Sequence, residues 1–314
     1  SITNPTLDGS TFACYEYKNE RVMPIGYDDP VNEDITLEAR YFTDDTIANL
    51  KLDDLDWKTI INIVVTGVEA TWKNNWFKIG DTKRFTLYQD GVQQPFQHEV
   101  RIIDFDHDLL SGSTSNDPQY ANITFEFANL ITVTKAKDKP STINTKWNGK
   151  KTEEGAKNYD YRDATINEFL NGVNGDITGS ILEMMPIGLR KSILTVEKKV
   201  GGSTDQGQSY VATSFDTKLF PLAHDEYVDT EAGVVPGEAG EKGKYQYYID
   251  HSEAKDLAKS PVNSTSNHYW IRSPYIKDQD DNHDTAWRVM SSGALENGGT
   301  ISRNLLPVAP AFCI

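Results

Sequence analysis

Histidines next to carboxylates are the residues best suited to chemistry in this chain. Residues 106–108 read Asp-His-Asp after a run with strand character, and residues 224–226 read His-Asp-Glu. An imidazole held by carboxylates can act as a base or bind a metal ion. Neighbouring side chains of a strand point to opposite faces, however, so these groups are not expected to converge. We therefore predict that both stretches are structural, with His107 hydrogen-bonded to the backbone at the end of a strand.

The acidic segment Asp278–Asp284 is the best candidate for a metal site. Its first, third, fifth and seventh positions carry Asp, Asp, Asn and Asp, as the beginning of an EF-hand loop does. The sixth position is His283 where the sharp turn needs glycine, and the twelfth is Val289 where a bidentate glutamate belongs. The segment is therefore not an EF-hand. A looser calcium site of oxygen ligands stays open, and we predict a solvated loop without metal.

The motifs of nucleophilic and phosphate chemistry are missing. The chain has no GxSxG, no GxxxxGK[ST] and no GxGxxG after a strand, and no pair of carboxylates stands out for glycoside hydrolysis. Its two cysteines, Cys14 and Cys313, form no CxxC or Cys/His cluster, which excludes a structural zinc site. We expect two free, buried thiols; a disulfide between the two ends of the chain is the alternative. The sequence predicts a protein that is not an enzyme and needs no cofactor.

The charge balance limits the partners. The chain has 31 basic and 47 acidic residues, a net charge of -16, and such a field repels a nucleic-acid backbone. The one basic group, Arg190-Lys191 with Lys198-Lys199, is predicted to lie on a solvated segment. No apolar run approaches the roughly 18 residues of a membrane span, and no signal peptide is visible in residues 1–10. We expect neither nucleic acid nor a membrane as partner.

Periodicity and turn residues place the elements of the N-terminal half. Asp56 caps a helix that is predicted to run to about Thr71, because apolar residues recur at helical spacing after it. Alternating apolar residues predict strands over residues 84–88, 99–105 and 123–128, with a hairpin turn at Asp90-Gly91. Residues 1–55 hold acidic turns and short strand-like pieces, and we interpret them as an arm.

The C-terminal half is predicted to begin after a long polar loop over residues 137–160. Two helices are expected next, one from Asp163 or Thr165 to a stop at Gly172, and one over residues 181–193 that Pro186 interrupts. The later segments are expected to be a strand over residues 211–221, a short helix within residues 245–259, and strand and loop over residues 267–314.

The C-terminus also carries a resemblance. It reads HYWIRSPYI, AWRVMSSG and PVAPAFCI in residues 268–276, 286–293 and 307–314. These blocks resemble a bacterial and phage family of unannotated function that shares W-x-R-S-P and a terminal V-x-P-A-F-C-I. Upstream blocks match in order, so the resemblance spans about Trp57–Ile314. Those blocks are Ile79–Leu87, Val100–Leu110, Ile123–Leu130, Thr213–Tyr227 and Gly240–Ile249.

The same C-terminal order of elements also resembles the C-type-lectin-like fold. The resemblance implies an α+β fold, a mixed domain with short antiparallel sheets and two or three helices, over residues 56–314. A division into two subdomains near residues 137–160 stays open. Residues 1–55 are outside the resemblance and are expected to form an N-terminal arm or docking appendage.

A ligand-binding surface is expected on the loops after residue 274, since loops carry function while strands carry packing. Trp270 and Arg272 are interpreted as framework, with Arg272 paired to a nearby carboxylate or carbonyl. Aromatic faces and planar polar groups bind sugars and proteins alike, and ordinary loop residues are the alternative. The predicted ligand-binding residues are Tyr275, His283, Asp284, Trp287, Arg303 and Asn304.

The function that the resemblance implies is attachment. Members of this family are similar to phage tail or surface proteins, so we expect a tail-associated virion protein of a phage or prophage. Its expected partner is a host-surface glycan or protein, or another virion protein. Whether it forms a homo-oligomer stays open. The alternatives are a purely structural virion component docked through residues 1–55, and a secreted bacterial adhesin at the cell surface. An enzyme of the related sulfatase-activating type needs reactive cysteines, and Cys313 lies in a core-like strand.

Overall fold

The computed structural model describes residues 5–17, 36–135, 139–148, 161, 164–201, 212–229, 234–235, 237–275, 285–300 and 304–314. The strands are β1 (Ser10–Tyr17), β2 (Leu37–Thr43), β3 (Thr82–Gln89), β4 (Val92–Phe105), β5 (Ile123–Phe127), β6 (Thr132–Lys135), β7 (Lys139–Thr142), β8 (Val196–Gly201), β9 (Ala212–Thr217), β10 (Phe220–Pro221), β11 (Tyr269–Pro274), β12 (Thr285–Val289), β13 (Leu295–Thr300) and β14 (Pro310–Cys313). The helices are α1 (Asp44–Ala48), α2 (Trp57–Thr66), α3 (Glu69–Trp72), α4 (Thr165–Asn171), α5 (Ile181–Met184), α6 (Ile187–Ser192), α7 (His224–Tyr227), α8 (Gln246–Asp250) and α9 (Ala254–Leu257), with a 3-10 turn at Leu52–Asp54.

A five-stranded antiparallel sheet organises the core, in the order β10-β14-β5-β4-β3. The last strand of the chain, β14, lies between β10 and β5, with Phe312 opposite Phe125. A three-stranded sheet β11-β12-β13 and the hairpins β1-β2, β6-β7 and β8-β9 surround it. The α+β prediction with short antiparallel sheets is confirmed.

One face of the five-stranded sheet is aromatic. The rings of Phe312 and Phe125 stack with centroids 5.4 Å apart, and Phe127 lies edge-on to Phe312 at 6.5 Å. Helix α2 covers this face with Trp57, whose ring is 5.5 Å from that of Phe125. The predicted cap starts the helix here: the Asp56 carboxylate accepts a hydrogen bond from the Thr59 amide at 2.6 Å.

The opposite face is polar, although it is also buried. Because side chains alternate along a strand, Thr124 and Glu126 of β5 and Cys313 of β14 point away from the phenylalanines, and all three are fully buried. Burying polar groups costs free energy unless they find partners. The segments that cover this face must therefore supply those partners.

Turn chemistry sets several boundaries as predicted. Asp90 and Gly91 have φ of 50° and 75°, the left-handed pair that a tight hairpin between β3 and β4 needs. Gly172 follows α4 with φ 82°. Pro186 separates α5 from α6, because its ring cannot continue the helix.

Two predictions about helices are wrong. Helix α2 ends at Thr66 rather than Thr71, since Gly67 approaches β1 so closely that a Cβ there would lie 2.6 Å from the Ala13 carbonyl oxygen. Within residues 56–314, where two or three helices were expected, the described part of the chain holds eight α-helices. Seven of them have seven residues or fewer, too short to show a helical period in sequence. None of these described helices has both the length and the apolar composition for crossing a membrane.

The N-terminal hairpin packs on helix α2. The Tyr15 amide donates to Thr66 Oγ1 at 2.9 Å, and the Arg40 guanidinium donates to Thr59 Oγ1 at 2.9 Å. Ala13 of β1 is buried in the same continuous apolar core as α2. The docking role expected of residues 1–55 stays a prediction.

Candidate functional site

A cavity of about 320 Å³ opens beside the polar face of the sheet. Its walls come from the loop between β4 and β5, from strand β8 and from the turn at residues 237–242. The floor is buried, whereas most of the rim is exposed. The lining residues are His107, Asp108, Leu109, Ser113, Thr114, Ser115, Pro118, Tyr120, Glu197, Lys198, Lys199, Glu238, Ala239, Gly240, Glu241 and Lys242.

His107 lies on this floor at the end of β4. Its Nε2 is 3.2 Å from the Gly243 carbonyl oxygen, which confirms the predicted backbone contact. Its ring stacks on Tyr245 with centroids 4.0 Å apart. The expectation that His107 and its acidic neighbours diverge is wrong for Asp108, whose Oδ1 lies 3.7 Å from His107 Nδ1. Strand alternation does not apply here, because β4 ends at Phe105 and Asp106 turns the chain with φ 49°.

Asp108 is the first centre of a buried network. Its Oδ1 lies 2.6 Å from Lys198 Nζ, and its Oδ2 accepts a hydrogen bond from Thr124 Oγ1 at 2.5 Å. Tyr245 OH donates to the same carboxylate at 2.9 Å, and Cys313 Sγ lies 3.4 Å from Oδ2. Burial raises the pKa of Asp108, but Lys198 and His107 together outweigh burial, and the net pKa lies well below its usual range.

Lys198 connects Asp108 to a second ion pair. Lys198 Nζ lies 2.5 Å from Glu226 Oε1, and this oxygen also contacts Arg272 Nη2 at 3.0 Å. The four charges thus alternate in sign across the site. Arg272 also donates to the carbonyl oxygen of Pro221 at 2.7 Å, which confirms the prediction that it pairs with a carboxylate or carbonyl.

Glu238 is a buried carboxyl group of the cavity whose pKa is raised. It accepts a hydrogen bond from the Gly201 amide at 2.6 Å and one from the Ser273 hydroxyl. It is 1% exposed, and burial, which dominates over the nearby Arg272, raises its pKa to about 8. At neutral pH the group is therefore mainly protonated.

Glu126 forms a separate network on the same face of the sheet. Lys259 Nζ contacts its carboxylate, and Arg101 Nη2 lies 3.0 Å from its Oε2. The hydroxyls of Tyr248 and Tyr227 donate to it at 2.6 and 3.1 Å. Removing one partner of such a buried ion pair costs more free energy of folding than the intact pair contributes. These contacts therefore hold the covering segments in one position.

The sequence prediction for the basic group is wrong at Lys198. This residue is 4% exposed rather than solvated. It alternates in phase with Val196 and Val200 along β8, and both of these are fully buried. A lysine at an apolar position of a strand is the signal that would have identified it. The roles of Glu226 and Asp108 were missed as well, because a contact between distant segments leaves no local pattern.

Only part of the predicted ligand-binding set falls on described residues. Trp287 is buried, with its ring 4.4 Å from that of His224 and 5.6 Å from that of Tyr275. Tyr275 and Asn304 are half-buried. His283, Asp284 and Arg303, like the rest of the acidic segment 278–284, lie outside the described residues. In this structure Trp287 packs inside the fold and does not present its face to a ligand.

The two thiols are free and buried, as predicted. Burial, with Glu16 nearby, raises the pKa of Cys14 to about 12, and burial together with the Asp108 charge holds the pKa of Cys313 well above its usual range. A reactive cysteine needs a lowered pKa and access to solvent. Among the described residues, no three His, Cys, Asp or Glu side chains are grouped as metal ligands.

Comparison with known proteins gives a family but no activity. No curated protein and no solved structure matches the chain. The model of a domain of unknown function (DUF6273) matches residues 133–314, which include Lys198, Glu226, Glu238 and Arg272. Asp108 and the loop before β5 precede the matched part, which does not reach back to the expected start of the resemblance at Trp57. The resembling blocks outside the match are Ile79–Leu87, Val100–Leu110 and Ile123–Leu130. Since the match covers more than half of the chain, this protein belongs to the DUF6273 family.

Proposed function

We propose that this protein is a recognition protein that binds a neutral, hydroxyl-rich ligand, a unit of a cell-surface glycan, in the cavity above His107 and Asp108. The observation that carries the proposal is a fixed floor of balanced charge beneath a rim of hydroxyl groups. The network that positions this floor is buried, so binding a ligand does not have to order it first.

The charges around the cavity cancel. Three lysines line it, and three of the four lining carboxyl groups are ionised, since burial keeps Glu238 mainly protonated at neutral pH. An anionic or cationic ligand would find no net opposite charge there, whereas a neutral ligand needs none. The lysines are Lys198, Lys199 and Lys242, and the carboxylates are Asp108, Glu197 and Glu241.

The rim suits hydroxyl groups. Thr114 and Ser115 supply hydroxyl groups on one side, where the Ser113 hydroxyl is paired with the Gln119 backbone, and Tyr120 supplies an aromatic ring on the same loop. Lys242 Nζ lies 4.4 Å from the centre of that ring. The volume is at the lower end of the range for small-molecule sites, roughly 300–1,000 Å³. One or two sugar units are a ligand of this size and chemistry.

The biological setting that we propose is host attachment by a phage or prophage tail protein, with residues 1–55 as the docking segment. The resemblance of the C-terminal blocks supports this setting, and it also supports a C-type-lectin-like fold for residues 56–314. The three-stranded sheet and its long connection between β11 and β12 suit that fold. Tyr275 and Asn304, which are half-buried, are proposed as a second contact surface.

The experiment is binding to an array of neutral and anionic glycans, followed by titration of any ligand found. Tyr120→Ala removes the aromatic wall and should weaken binding at least about tenfold, the loss of one interface anchor. Tyr88→Ala is the matched control, because it removes a tyrosine that is 38% exposed on another part of the surface. Tyr275→Ala and Asn304→Ala test the second surface.

Selective binding of neutral glycans that Tyr120→Ala weakens and Tyr88→Ala leaves intact supports the proposal. Binding that depends on Tyr275 and Asn304 instead moves the site to the predicted loops. If the folded protein binds no glycan and no host cell, and yet is recovered in virions, the structural alternative replaces attachment.

A further inference from the structure

Lys198 is held between two carboxylates on the buried floor of the cavity. Its Nζ lies 2.6 Å from Asp108 Oδ1 and 2.5 Å from Glu226 Oε1, and all three side chains are buried. The rings of Phe220 and Tyr245 lie 4.5 and 5.4 Å from the ammonium. The amine and the carboxyl group are thus in contact, with a second carboxylate positioned at the same nitrogen.

An amine and a carboxylate in contact can condense to an amide when burial holds them together and limits their contact with bulk water. Holding the two groups together turns a bimolecular reaction into a unimolecular one, which removes much of the entropic part of the barrier. The difficult part is moving protons, since the amine must lose one before it can attack. A carboxylate at hydrogen-bond distance from the nitrogen can accept that proton and deliver it to the departing oxygen.

We propose that Lys198 and Asp108 form a covalent isopeptide bond, with Glu226 relaying the proton. The nitrogen of Lys198 bonds to the side-chain carboxyl carbon of Asp108, and the bond from that carbon to Oδ1 breaks. Two hydrogens of the ammonium leave with Oδ1 as one water molecule. One positive and one negative charge disappear together, so no oxidant, reductant or other reactant is needed.

Neighbouring groups suit this step. Thr124 Oγ1 donates to Asp108 Oδ2 at 2.5 Å, which stabilises the negative charge that grows on this oxygen during attack. Tyr245 OH lies 2.9 Å from Oδ1 and 3.1 Å from Oδ2. Oδ1, on the lysine side, is the atom that leaves. Both reacting side chains line the cavity described above, which gives the released water a place to go.

Burial supplies a thermodynamic reason. Burial disfavours the charged forms of both reacting groups, and each keeps its charge because of its neighbours. Lys198 and His107 lower the pKa of Asp108, and Asp108 and Glu226 raise the pKa of Lys198. An amide removes both buried charges. The charge of Glu226 stays balanced by Arg272, 3.0 Å away, so the remaining network is still neutral.

The chain contains its own comparison. Lys259 and Glu126 form another buried lysine–carboxylate contact, but the other partners of this site are Arg101 and tyrosine hydroxyls. Within the described part of the chain, no second carboxylate reaches Lys259 Nζ to accept its proton. We expect no bond there, which separates the effect of the relay from that of burial alone.

The test is the mass of the intact, denatured full chain, followed by a peptide map. The expected mass is lower than the sequence mass by one water molecule, with a branched peptide that joins Lys198 to Asp108 and none that joins Lys259 to Glu126. Lys198→Arg keeps the positive charge but has no amine of the same kind, and Glu226→Gln removes the proton acceptor. Both variants should show their full sequence masses.

The full sequence mass for the folded wild-type protein overturns the proposal. So does a loss of water that maps elsewhere, for example to a succinimide at an Asp-Gly sequence, or a joined peptide that persists in Glu226→Gln. Because mass is measured on denatured chains, a variant that folds poorly still gives a result, and the wild-type peptide map decides independently of it. Glycan binding plays no part in these outcomes.

Discussion

Phe312 gives the sharpest prediction about what holds the fold together. Its ring is fully buried in the central strand β14, stacked on Phe125 and in edge contact with Trp57 at 6.2 Å. Phe312→Ala removes the ring and leaves a cavity that surrounding aromatic rings cannot fill. Such substitutions cost about 3–5 kcal/mol, a large part of the roughly 5–15 kcal/mol that stabilises a domain.

The measurement is unfolding by urea and by heat, followed by circular dichroism. Because ~1 kcal/mol shifts the midpoint of a protein of this size by about 2–4 °C, Phe312→Ala should melt roughly 10 °C lower. Leu305→Ala is the control: it lies nearby in the chain and is 57% exposed, so we expect a change within about 0.5 kcal/mol. A loss below about 1 kcal/mol for Phe312→Ala would refute the view that β14 is central to the core.

Three further predictions follow from burial. Removing residues 307–314 takes away a central strand and should prevent folding; a soluble truncated protein that melts like the parent contradicts this. Cys14 and Cys313 should react with an alkylating reagent only after denaturation, and a mass two hydrogens short under non-reducing conditions would instead reveal a disulfide. The pKa of Glu238 is about 8 in the folded protein, against an ordinary value of 4.5. As pH rises, the unfolded chain therefore loses this proton before the folded protein does. The free energy of unfolding should fall between pH 4.5 and 8, by up to about 1.4 kcal/mol per pH unit. Glu238→Gln should therefore gain stability relative to wild type across that range. If the free energies of unfolding of the two proteins change in parallel with pH, the pKa of Glu238 is not raised.

Elements that begin or end at a distinctive residue could be predicted from the sequence. Asp56 starts α2 and Asp90-Gly91 joins β3 to β4, because a cap and a left-handed turn depend on the residue itself. The one-turn helix α7 follows Ala223, which is no capping residue. It forms where a tertiary contact holds the backbone, since the His224 amide donates to Ser273 Oγ at 2.8 Å.

The cavity and its network lay largely beyond sequence reasoning. Asp108 and Lys198 are in contact although 90 positions separate them, and an isolated lysine or aspartate is usually solvated. The sequence held one usable signal: Lys198 lies on the same face of β8 as the buried Val196 and Val200. No comparable clue marked Glu238, whose burial depends on how residues 237–242 pack over β8 and β11.

The position of β14 also governs when the protein can fold during synthesis. Its neighbours β5 and β10 are made long before it, and translation at about 5–20 residues per second puts on the order of ten seconds between β5 and β14. During that interval β5 has one unpaired edge and an aromatic face without Phe312. Such edges attract other chains. A nascent chain of this protein should therefore depend on chaperones until residue 313 has left the ribosome, and slow translation late in the message should increase aggregation.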